Sequence, residues 1–231
     1  MEKTRPMALD NLARLKGGLN KRWIWKDSES FHRGCDYFQK IGYCIQDLNT
    51  ELDSIDNAMM KDVVFVIVLI DWISEAVNAL PTLLKDGLYK GFSFQKQAEL
   101  DSAAKYLKAM RSFVVAHPLS TDRHKEFGFD GGKICVDVRS AKARLLPLLH
   151  NEIWSNIDHS GLHNGKSGNC VDFVLLIYDK EKDEMKYFKC IEANFSDLYR
   201  VAELYIEKIF AIDKYLIGLK KKDWDKKNEK T

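Results

Sequence analysis

VVFVIVLIDWISEAVNAL, residues 63–80, decides the fold. Its first half is β-branched and could pass for a buried strand. Its second half carries Trp72, Ile73, Ala76, Val77 and Leu80 at helical spacing. Taken as one element it is a helix apolar on most sides, which belongs at the centre of a structure with neighbours around it. Pro81 is expected just beyond its end. The apolar run at 63–70 stops at Asp71, short of the roughly 20 residues needed to cross a bilayer, so no membrane span is expected.

Outward from this stretch the pattern stays helical. Phe31, Cys35, Phe38, Ile41, Ile45, Leu48, Leu52 and Ile55 are spaced 4-3-3-4-3-4-3, one apolar stripe on a long helix. A third helix is expected over about 94–116, with Leu100, Ala104, Leu107, Arg111 and Val114 or Val115 on one face. A fourth runs over about 195–219 with Leu198, Val201, Tyr205, Ile209, Ile212, Leu216 and Leu219 in line. Asn194 suits its N-cap, and Asp197 its first turn. Between the last two helices the texture changes. ICVDV (134–138) alternates, while VDFVLLIY (171–178) and MKYFKCI (185–191) flank the charged turn DKEKDE, a β-hairpin pattern. ARLLPLLHNEIWSNI (143–157) suggests a helix interrupted at Pro147. The expectation is a mainly α protein. A four-helix up-and-down bundle spans 29–219, with an inserted α/β segment at about 125–193 that contains the hairpin, 171–191. Residues 1–28 form a polar lead-in with a short helix near Leu9 to Leu15, and 220–231 form a basic tail.

The 231 residues are 45% hydrophobic, enough for a real core. A net charge of +2 is too mild to mark a nucleic-acid binder by itself. The start, MEKTRPMALDNLARL, lacks the apolar centre of a secretory signal, and a cytoplasmic protein is expected. Cys35, Cys44, Cys135, Cys170 and Cys190 are odd in number and scattered without a CxxC, so small buried thiols are expected rather than disulfides or zinc.

Chemistry concentrates in RSFVVAHPLSTDRH, residues 111–124. Arg111 lies on the face of Leu100 and Leu107, so its cation needs a partner. His117 would sit about 120 degrees around a continuous helix from Arg111. Pro118 disfavours helical geometry at the residue before it, so the helix should stop near Ala116 and release His117 from its path. Ser120, Thr121 and Asp122 can order the following loop, to which Arg123 and His124 add a second cation and imidazole. A structural alternative stands beside this: Arg111 pairs with Asp71 or Glu75 on the second helix, and His117 bonds to free carbonyls at the helix end.

The spacing Arg111-SFVVA-His117, placed at the end of a late helix in a four-helix pattern, resembles the HEPN family. The continuation AHPLSTDRH resembles a prokaryotic HEPN-like subgroup. Ser112 stands where the family often has Asn, Asp or His. The resemblance covers most of the chain apart from residues 1–28 and about 125–193. It implies a metal-independent endoribonuclease that works as a homodimer, with two Arg/His pairs in one composite cleft. By that resemblance His117 is general base toward the RNA 2′-OH or general acid toward the leaving oxygen. Arg111 binds the scissile phosphate, and a 2′,3′-cyclic phosphate is left. Ser112, Asp122, Arg123 and His124 are the candidate substrate-binding residues. A toxin–antitoxin or phage-defence setting would add an antitoxin protein as partner. The alternative is a HEPN-like RNA- or nucleotide-binding or protein-interaction module without turnover.

Other constellations are weaker, and no metal or cofactor is expected. His159 and His163 have metal-ligand spacing, but Gly161, Gly165 and Gly168 point to a loop, and neither His150 nor any carboxylate or cysteine completes a set. GLHNGKS at 161–167 misses a phosphate-binding loop because position 160 is Ser160. The lysines from Lys220 to Lys230 alternate with acids around Trp224, the texture of a solvated tail that could add salt-sensitive attraction to RNA.

Overall fold

Asp27 starts the first helix. Its carboxylate accepts a hydrogen bond from Ser30 N at 2.7 Å, which holds its pKa below the ordinary value. The computed structural model describes residues 6–15, 23–55, 58–117, 126–127, 135–140, 172–181 and 185–228. Helix α1 (Ser28–Glu51) turns Phe38, Ile41, Ile45 and Leu48 inward along the expected stripe. Helix α2 (Met60–Leu83) follows, with the Asp62 carboxylate accepting from Met59 N at 2.7 Å. The β-branched run is helical throughout, because Val66, Ile67, Ile70, Ile73 and Val77 all find packing partners on that path.

Pro81 lies inside the last turn of α2 and not beyond it, a correction to the expected boundary. Its missing N–H removes one intrahelical bond near the end, where the loss is small, while Leu80, Leu83 and Leu84 gain burial by continuing. By length and composition α2 is also the one helix among the described residues that could cross a membrane, with 56% of its most apolar window buried inside the fold. The contacts account for that apolarity: α2 packs on α1, on α3 (Gln97–Arg111) and on α4 (Phe195–Asn228).

Asn194 caps α4 as expected, accepting from Asp197 N at 2.8 Å. The helix runs on to Asn228, past the expected end near 219, because the Lys- and Asp-rich continuation carries no helix breaker. Between α3 and α4 in the chain lie β1 (Cys135–Ser140), β2 (Phe173–Glu181) and β3 (Met185–Ala193), an antiparallel sheet in the order β1-β2-β3. The hairpin pairs Phe173 with Ala193 and Glu181 with Met185, so β2 extends through Asp179, Lys180 and Glu181 of the expected turn. The protein is mainly helical with this small antiparallel sheet beside the helices.

The lead-in belongs to the core. Leu9 and Leu15 are buried, with a single 3-10 turn at Leu12–Leu15. Leu9 N donates to Asn49 Oδ1 at 2.7 Å. Trp23 is buried, stacks on Trp25 and meets Phe38 edge-on, and its indole N–H donates to Asp213 Oδ1 at 2.9 Å. Residue 34 must be glycine there, since a Cβ would collide with the Trp25 ring. Cys44 is buried and Cys35 half-buried, both as thiols, with burial pushing their pKa values up. The interrupted helix at 143–157, His150, His159, His163 and the glycine-rich loop after them lie outside the described residues.

Candidate functional site

At Arg111 the α-helical path of α3 ends and a single wider π-turn follows, Ser112–Ala116. His117 N donates to Ser112 O at 2.9 Å, five residues back instead of four. Phe113 and Val114 hold the turn by burial, and Phe113 packs against Phe127 with ring centroids 5.4 Å apart. His117 then leaves the helix at φ −142° and ψ 58°. The helix therefore stops at Ala116, the position expected from Pro118, although the π-turn itself carries no plain sequence signal.

Arg111 projects from the same end toward α2. Its Nε is 3.2 Å from Asp71 Oδ2, its Nη1 donates to Asp71 Oδ1 at 3.3 Å, and Nη1 is 3.8 Å from Glu75 Oε1. These are the two carboxylates named as its structural partners from sequence. Asp71 and Glu75 lie four apart on α2, so one side-chain row presents both to one guanidinium. Asp71 is 15% exposed and Glu75 63%. Burial raises the Asp71 pKa, Arg111 pulls it down and Glu75 raises it again. Arg111 itself is 48% exposed.

Of the other candidate residues, Ser112 is half-buried and serves the π-turn through its carbonyl. Asp122, Arg123 and His124 lie outside the described residues, as does Pro118. The chain is described again at Glu126 and Phe127, both returning to this helix end. Glu126 Oε1 accepts from Lys108 Nζ at 2.5 Å.

A second polar cluster was not anticipated. Lys208 of α4 is buried, with Nζ 3.4 Å from Asn78 Oδ1, and burial lowers its pKa while Asp101 opposes the shift. Tyr205 of the same helix is buried too, and burial raises its pKa while the neighbouring Asn78 and Ser74 lower it. A lysine next to the apolar row Tyr205, Ile209 and Ile212 was the sequence signal for it. Among the described residues no group of His, Cys, Asp and Glu could hold a metal ion. Compared with known proteins, the chain matches no family model, no curated protein and no solved structure.

Proposed function

We propose that the chain is a HEPN-like, metal-independent endoribonuclease: a four-helix up-and-down bundle that acts as a homodimer, with Arg111 and His117 as its catalytic pair. The observation that carries this reading is the π-turn between them. It takes the imidazole off the helical path six residues after the guanidinium, and it leaves both groups partly open to solvent at one helix end. Such wide turns cluster at functional sites. Asp71 holds Arg111 from one side, and the guanidinium, about half exposed, can still face a phosphate oxygen. In the reaction the 2′-oxygen attacks phosphorus and the 5′-oxygen leaves. His117 accepts the proton of the first or supplies that of the second, and Arg111 offsets charge growing on the phosphoryl oxygens.

One observation favours the second reading, a binding or interaction module without turnover. With both carboxylates ionised, Arg111, Asp71 and Glu75 sum to one negative charge, which repels a phosphodiester. The experiment that separates the two is cleavage of single-stranded RNA by purified protein in excess chelator. The nuclease reading expects 2′,3′-cyclic phosphate ends, lost by at least about a hundredfold in His117→Ala, as for removal of a general acid or base. Arg111→Ala is expected to lose cleavage too, with circular dichroism unchanged in both. RNA binding without cleavage, lost in Arg111→Ala, would establish the second reading.

A further inference from the structure

The outward side of α2 carries a row that stays partly exposed. Lys61, Phe65, Val68, Trp72 and Glu75 follow one another at spacings of 4-3-4-3. Phe65 and Trp72 are each 40% exposed, on the most apolar of the four helices. Lys40 of α1 sets its Nζ 3.4 Å from the Trp72 ring centroid, covering one ring face. The row is ordered: a cation, three apolar side chains, then an anion. Lys61 lies 3.6 Å from Asp62 and Glu75 3.8 Å from Arg111, both long contacts, and both end charges stay mostly exposed.

The geometry points to a second copy of this chain as the occupant, laid antiparallel across Val68. Reversed on itself, the row matches. Lys61 meets the partner's Glu75, Phe65 meets the partner's Trp72, and Val68 sits at the crossing. Lys61 and Glu75 are each seven residues from Val68, about 10 Å along the axis at the helical rise. They reach each other at the shallow crossing of about 20 degrees that this spacing favours. A parallel copy would put like charges together, so the charge order selects one orientation and one self-complementary interface. A lipid surface would not select it, since Asp71 flanks the row and Glu75 ends it.

The inference deepens the homodimer part of the proposed function and rests on that part alone. A twofold axis relating two antiparallel helices stands perpendicular to the plane that contains them. Arg111, held by Asp71 and Glu75 at the edge of the row, therefore lies along the same edge of the seam in both copies. Two Arg111 groups on one side of a seam are what a shared cleft requires.

Sedimentation velocity on the full chain tests it. The wild type is expected to be a dimer at tens of micromolar, and Trp72→Glu a monomer with unchanged circular dichroism. Lys61→Glu and Glu75→Lys, each alone, bring like charges together and weaken the dimer at least about tenfold in Kd. Mixed in equal amounts they restore a heterodimer, because every charged pair is then opposite; misfolded variants could not do so. A monomeric wild type, a dimer indifferent to Trp72→Glu, or charge variants that associate equally well alone and mixed would each overturn the proposal. So would monomeric wild type partitioning onto phosphatidylcholine vesicles. A dimer with the mixing pattern that never cuts RNA leaves this interface standing and removes the nuclease reading; a monomer that cuts RNA does the reverse.

Discussion

Asp71 sits where two demands meet. It is mostly buried, which disfavours its charge, and it faces Arg111, which favours it; burial is the larger influence and the pKa is raised. Folded Asp71 thus binds its proton more tightly than the unfolded chain does. Its contribution to stability is full below the unfolded carboxylate value near ~3.9 and is lost as pH rises through the higher folded value. Asp71→Asn abolishes that dependence. Urea midpoints at acidic and neutral pH should show a deficit in the variant that shrinks as pH rises; a widening deficit would contradict the assignment. Gly34 makes a simpler case. Gly34→Ala drives a methyl into the Trp25 ring and should lower stability by about 1–3 kcal/mol in thermal unfolding.

At the scale of elements, α3 and α4 are tied by one guanidinium. Arg200 donates from Nε and Nη2 to Glu99 Oε1 at 2.9 and 2.7 Å, and from Nη1 to Glu203 and Glu207. Its partners hold its pKa above the ordinary arginine value despite burial. Arg200→Ala leaves three carboxylates facing one another and should cost about 1.5–3 kcal/mol in urea unfolding, most of it recovered by Arg200→Lys only if point charge alone matters. The periodic helices were legible in the residues because period and burial agree along α1 and α4. The β-branched start of α2 was legible only through its second half. Helix ends were less so: burial of the leucines around it carries Pro81 inside α2, and α4 runs past 219 because its sequence holds no helix breaker there. The π-turn was hidden, since it depends on Phe113 and Val114 finding burial, which is a tertiary matter. At the site, the Arg111 partners could be named in advance because a cation on an apolar face must seek acids on the helix it packs against. The Lys208 cluster is hidden in the sequence because Lys208 on α4 meets Asn78 of α2 and Asp101 of α3, far from it along the chain.

Across the whole molecule, the early and late parts of the chain hold each other. Trp23 donates to Asp213 across 190 positions, and the buried Tyr199 hydroxyl donates to Leu48 O. Strand-like pairing joins Trp25 to Leu84, with Lys85 N donating to Ile24 O at 2.9 Å. Helix α4 covers α2 and α3, so the most apolar helix stays partly open until α4 arrives. On a ribosome, Asp213 is made long after Trp23 has emerged. The nascent chain must wait with its tryptophan pair and the inner side of α2 uncovered, and closing so wide a loop is slow. Such a chain is a natural client for a holding chaperone during its synthesis.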